Sequence, residues 1–150
     1  MTLTEQISQD LTNAMKAGDR LLMGTLRLLR AALLELQKSG TEVTPETELK
    51  AIQKQARSRK DAAEEYVKAG RQDLADKEEA ELKIIQTYLP QQMDDAAIRA
   101  LVEGIATETG AAGPGDFKLV MPKAMAALRG RADGAKVQSI VKEVLEGKGA

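Results

Sequence analysis

Apolar residues recur along this chain at three- and four-residue spacing, broken by glycine, proline and short polar caps, which is the period of α-helices rather than strands. Thr2 and Glu5 stand at capping-box spacing, and Leu3, Ile7, Leu11 and Ala14 then form one helical stripe that should close near Gly18. Asp19 caps a second helix. Its apolar positions Leu22, Leu26, Leu29, Leu33 and Leu36 are joined by Leu21, Leu28 and Ala32, which predicts an unusually wide buried face and the central helix of its subdomain. Thr44 followed by Pro45 and Glu46 starts a third helix, a cap with proline at the first helical position, and Gly70 stops it just after Ala69. Leu49, Ile52, Ala56, Ala63, Tyr66 and Val67 make only a thin stripe on that polar rod, so much of it should face water or a partner.

The stretch RQDLADKEEAELKIIQTYLPQQM, residues 71–93, organises the rest. It reads as a charged helix whose apolar residues, Leu82, Ile85, Tyr88 and Leu89, gather at one end. Pro90 bars the α conformation to the residue before it and cannot donate the next hydrogen bond, so Leu89 should end the helix and Asp94 should cap a new one. The expected fold is all-α with two helical subdomains: residues 1–92 as a long-helix subdomain of about four helices, and residues 93–150 as a three-helix subdomain. In the latter, Ile98, Leu101, Val102 and Ile105 mark a helix ended by Gly110 and the breaker run AAGPG. A sixth helix begins near Asp116 and should bury Phe117, Val120, Met121, Ala124, Met125 and Leu128. Pro122 inside it should kink it or push its start later. The seventh, capped by Asp133, should bury Val137, Ile140, Val141, Val144 and Leu145.

Composition narrows the chemistry. With 43% hydrophobic but only 2% aromatic residues and no tryptophan, the cores of this 150-residue chain must be aliphatic. There is no cysteine and no histidine, which removes disulfides, thiolate metal sites, the usual nucleophile and the usual general base. No apolar run approaches the ~20 residues of a membrane span, the start MTLTEQISQDL is not a basic-then-apolar signal, and the expected location is cytoplasmic. A Walker loop, a dinucleotide fingerprint and zinc spacing are all missing, so no cofactor is expected.

Most charged constellations read as surface. Glu78 with Glu79 or Glu81 is expected to be a solvated helix face, with Glu79 and Lys83 at pairing distance along the helix. The run from Arg57 to Lys60 reads as an exposed face, with a partner or RNA contact as its functional alternative. Met23, Met121 and Met125 read as core. From residue 110 onward seven Lys and Arg oppose four acids, a surplus of three positive charges on a chain whose formal net charge is −1. Within that end lies LRGRADGAKV, residues 128–137. Gly130, Asp133 and Gly134 fit a tight helix-to-helix corner, but a corner does not require Arg129 and Arg131. Two guanidinium groups beside a helix N-terminus suit phosphate, and Lys118, Lys123 and Lys136 complete the candidate nucleic-acid-binding set.

Three stretches, KAGRQDLADKEEAELKIIQTYLPQQM from Lys68 to Met93, TLRLLRAAL from Thr25 to Leu33, and VMPKAMAALRGRADGAKV from Val120 to Val137, together resemble the GatB/YqeY family. The resemblance implies two all-helical subdomains, the second similar to the tail of the GatB component of the aspartyl/glutamyl-tRNA amidotransferase, where the related module helps engage tRNA. It also implies carbon-nitrogen ligase activity with glutamine as amido-N-donor. The sequence departs from the family at Pro122, where a small residue is usual, and at Ala126, where the family often has the proline. Amide transfer from glutamine needs a nucleophile and a nucleotide site, neither of which is visible here. The favoured reading is a non-catalytic module in aminoacyl-tRNA metabolism with tRNA as candidate partner. An accessory component of a ligase, associated with aminoacyl-tRNA synthetase or amidotransferase subunits, and a protein-interaction adaptor without RNA binding are the alternatives.

Overall fold

The computed structural model describes residues 1–90 and 92–149. Among these residues there is no strand. The helices are α1 (Leu3–Ala17), α2 (Arg20–Lys38), α3 (Pro45–Lys68), α4 (Gln72–Gln86), α5 (Asp95–Thr109), α6 (Phe117–Leu128) and α7 (Gly134–Lys148), with a 3-10 turn at Pro114–Asp116. The chain divides into two compact units, Met1–Pro90 and Gln91–Ala150.

The caps lie where local chemistry demands them. Thr2 and Glu5 form a reciprocal capping box on α1, Asp19 accepts from the Leu22 N–H, Thr44 and Thr47 box the start of α3, and Asp94 accepts from the Ala97 N–H. Gly18 ends α1 at φ 69°, a left-handed conformation that only glycine adopts without strain.

In the first unit Ile7, Leu11 and Ala14 of α1 meet Leu26, Leu29 and Leu33 of α2, Ile52 of α3 and Ile85 of α4. α2 packs against α1, α3 and α4, as a central helix should. Its buried face is narrower than its leucine content predicts: Leu21 and Leu28 are 43% and 41% exposed, and Ala32 and Leu36 are half-buried. At 100° per residue those two leucines point roughly 120° away from the stripe of Leu26, Leu29 and Leu33, outside the arc that the three neighbours cover.

α4 also ends earlier than Pro90 alone dictates. Its α pattern stops at Gln86, and the N–H groups of Thr87, Tyr88 and Leu89 donate instead to the carbonyls of Ile84, Ile85 and Gln86, a tightened 3-10 turn. The Thr87 hydroxyl donates to the Ile84 carbonyl at 2.6 Å, satisfying an end carbonyl ahead of the predicted stop. Tyr88 closes this turn onto α1, its hydroxyl donating to Asp10 Oδ2 at 2.6 Å. Burial, and then the adjacent Asp10 carboxylate, push the phenol well above its ordinary range. A group whose pKa is raised by folding contributes stability that is present below the unfolded value, near 10, and lost as pH rises through the folded one. Tyr88→Phe should therefore flatten the loss of stability above about pH 10, read by denaturant unfolding across the alkaline range.

In the second unit Ile98, Val102 and Ala106 of α5, Val120, Ala124 and Leu128 of α6, and Val137, Ile140, Val141, Val144 and Leu145 of α7 form one aliphatic core. Phe117 and Met121 pack against its edge, whereas Met125 is 37% exposed and lies over Gly134 rather than in the core. Pro122 does not delay the start of α6, which runs from Phe117 straight through it. Pro122 and Lys118 are both exposed, so water can reach the carbonyl whose hydrogen bond the proline removes.

Candidate nucleic-acid interface

The corner between α6 and α7 is built by backbone dihedrals. Arg129 sits at φ −53°, ψ 122°, Gly130 follows at φ 74°, and the Arg131 N–H donates to the Leu128 carbonyl at 2.9 Å. That is a type II turn, whose third position needs positive φ and hence glycine. Gly130 is buried, Arg129 is exposed and Arg131 is half-buried, so the turn carries one arginine before and one after a buried pivot.

Two contacts brace the turn from the segment ahead of α5. The Met93 N–H donates to the Arg131 carbonyl at 3.0 Å, and the Gln92 side-chain amide donates to the Gly130 carbonyl at 2.7 Å. The Gly130 and Arg131 carbonyls are thereby satisfied. No feature of the sequence pointed to Gln92 or Met93 in this role, because 38 residues separate Gln92 from Gly130.

The candidate residues are not all brought together. Arg129 and Arg131 share one turn, and both interact with other groups of the chain. Asp133 caps α7, its Oδ1 accepting from the Ala135 N–H at 3.2 Å, so this carboxylate already answers part of the helix N-terminus and the arginines carry the positive character. Lys118 lies about 15 Å along the helix axis from the end of α6, and Lys123 points about 140° round the helix from it, both exposed. Lys136 is engaged elsewhere: its Nζ lies 2.8 Å from Asp95 Oδ1 of α5. Arg99 and Glu143 form a second α5–α7 pair, and these four side chains with Ser139 and Ile140 line a shallow groove whose charges are internally matched.

Sequence reasoning also missed an ionic cluster in the first unit. Arg59 of α3 turns inward, its Nε 2.9 Å from Glu81 Oε2 and 3.6 Å from Glu78 Oε2 of α4. Glu78 and Glu81 are therefore not a solvated face. Arg57, Ser58 and Lys60 do remain accessible to water, and Arg57 pairs with Asp61 of its own helix. Among the described residues no group of three acidic side chains is placed to hold a metal ion, and no helix is long and apolar enough to cross a membrane.

These features define a small all-helical protein whose second unit carries an arginine-bearing corner. The chain belongs to the Yqey-like protein family, whose model matches residues 4–145. Among its relatives, the altered inheritance of mitochondria protein 41 of Pyrenophora tritici-repentis is 29% identical over 151 residues, covering 95% of this chain and 81% of that protein. The proteins of the same name from Vanderwaltozyma polyspora and Lachancea thermotolerans are 37% and 33% identical. Those matches cover 59% and 72% of this chain, and 52% and 60% of the two relatives. All three names include the word mitochondrial, which overturns the cytoplasmic expectation. The lack of cysteine and of an apolar span bears on disulfides and membrane crossing, and it does not distinguish one aqueous compartment from another.

Proposed function

We propose that the second unit is a non-catalytic tRNA-associated module that holds backbone phosphate through Arg129 and Arg131. The observation that carries this reading is the type II turn at residues 128–131, which fixes both arginines around a buried glycine pivot beside the first turn of α7. Planar guanidinium groups recognise phosphate in a bidentate manner, and the exposed Lys118 and Lys123 extend the same sign of charge along α6. Lys136 is a weaker member of the set because Asp95 already neutralises it. The resemblance of this unit to the tail of the amidotransferase's GatB component supplies the class of RNA.

The test is a titration of tRNA against the full chain at two salt concentrations. Because the relatives carry mitochondrial names, total mitochondrial tRNA is titrated beside bulk tRNA. Arg129→Ala with Arg131→Ala should weaken binding about tenfold or more and reduce the salt slope by about two, with circular dichroism unchanged. Asp133→Ala should behave in the opposite way, costing about 1 kcal/mol of stability through the lost cap while leaving RNA affinity nearly intact. Equal affinities of wild type and double variant, or no salt dependence in either, would reduce the corner to a structural turn and favour the protein-interaction adaptor.

The ligase alternative is separated by a second assay. A chain without cysteine or histidine is expected to release no ammonia from glutamine and to convert no Glu-tRNA or Asp-tRNA by itself. Steady ammonia release that survives repurification would overturn the non-catalytic reading.

A further inference from the structure

α2 carries a face that the fold leaves unused. Leu21, Gly24, Leu28 and Ala31 fall at spacings of three and four, which is one helical stripe, all four are exposed, and the exposed Glu35 closes the stripe at its C-terminal end. Arg20, Arg27 and Lys38 form a second exposed stripe beside it, because separations of seven and eleven residues each return to within about 20° of the same direction. None of these three cations has an acidic partner among the described residues. Of this face, Arg27, Leu28 and Ala31 lie in TLRLLRAAL, a stretch that the RNA-binding reading of the second unit does not use.

Gly24 adds an independent observation. A glycine inside a helix weakens it relative to alanine, so a fold that uses one there ordinarily needs a positive φ or a close approach. Gly24, like Gly104 of α5 and Gly147 of α7, shows neither: a Cβ placed on it would meet nothing within 4 Å. The space above it is free, midway between two exposed leucines, at the point where a second backbone could approach most closely.

We propose that this face of α2 is a docking surface for an acidic amphipathic helix of a partner protein. The chemistry selects that occupant over three others. A nucleic acid would satisfy the arginines but leave the leucines wet, since phosphates offer them no apolar cover. A second copy of α2 would offer only Glu35 on this face to meet Arg20, Arg27 and Lys38, a surplus of like charge on both sides that disfavours pairing. An anionic lipid surface would call for leucines that project freely, and Leu21 and Leu28 remain more than half covered. A helix with apolar residues at i, i+3, i+4 and i+7, edged by glutamates, matches both stripes together.

The probe is a synthetic fluorescent peptide of that pattern, with leucine anchors and a glutamate edge, titrated against the full chain by anisotropy. Saturable binding that weakens with salt is expected. Gly24→Leu should lower affinity at least tenfold while the thermal midpoint stays level or rises, because the site above Gly24 is open in the free protein. Arg27→Glu should lower affinity comparably, and a peptide with lysine in place of its glutamates should bind Arg27→Glu better than wild type. Both variants should keep wild-type affinity for tRNA, which separates this surface from the corner at residues 128–131. The proposal is overturned if the acidic peptide fails to bind, or if the lysine peptide binds wild type equally well. It is also overturned if the substitutions instead abolish uptake on vesicles of anionic phospholipid, disperse a dimer seen by sedimentation, or weaken tRNA binding.

Discussion

Arg59→Ala is expected to lower the unfolding free energy by about 3 kcal/mol, the cost of leaving a largely buried charge without its partner. The Arg59, Glu78 and Glu81 side chains are 17%, 19% and 12% exposed, so water screens them little. Arg59 Nε lies 2.9 Å from Glu81 Oε2 without the alignment of a hydrogen bond, and Glu78 Oε2 is buried with no hydrogen bond at all. The cluster therefore depends on the guanidinium charge as a whole. Removing it would leave two carboxylates facing the space it vacated, one helical turn apart on α4, each repelling the other. Packing loss and charge loss are separable in the same experiment. If charge dominates, Arg59→Met combined with Glu78→Leu and Glu81→Met should recover most of the loss, since apolar replacement of a whole buried cluster is often neutral or better. The readout is the urea midpoint at constant m. A triple variant as unstable as Arg59→Ala would show that shape, not charge, holds α3 to α4.

That cluster marks the boundary of what sequence can disclose. Most helix starts and stops are legible because their causes are local: Thr2, Asp19, Thr44, Asp94 and Asp133 each cap amides two or three residues away, and Gly18, Gly70, Gly110 and Gly130 each take the positive φ that favours glycine, whereas the end of α4 is set by its 3-10 turn ahead of Pro90. The stripes of α5 and α7 were legible for the same reason. Arg59 was not, because its partners lie on another helix, and the rule for neighbours within one helix drew attention to Glu79 and Lys83, which stay exposed. Leucine spacing likewise states which faces of α2 are apolar, but not how many neighbours will cover them, so Leu21 and Leu28 fit the pattern of a core that covers them only in part. At the corner the residue types pointed to Arg129 and Arg131, while the bracing by Gln92 and Met93 and the diversion of Lys136 to Asp95 are products of tertiary packing.

Glu48→Ala is the other substitution expected to be severe, at about 3 kcal/mol, for the loss of two hydrogen bonds to a charged acceptor and the stranding of their donors. Glu48 is 3% exposed, the most buried charged residue of the described chain, and its Oε2 accepts from the Thr4 hydroxyl at 2.6 Å and from the Thr4 N–H at 3.1 Å. Thr4 lies in the first turn of α1, where backbone N–H groups have no partner within their own helix. Glu48 itself lies in the first turn of α3. One carboxylate thus answers the positive ends of two helices at once, which compensates its removal from water. Glu48→Gln keeps an acceptor oxygen but not the charge, and should cost closer to 1 kcal/mol. Thr4→Val removes the hydroxyl donor alone, and a double-mutant cycle with Glu48→Ala should give a coupling of about 1 kcal/mol or more. Urea unfolding supplies all four corners of that cycle. Additive effects of the two substitutions would mean that the hydroxyl bond contributes nothing to joining α1 and α3, and that only the bond from the Thr4 N–H, which valine keeps, ties Glu48 to α1.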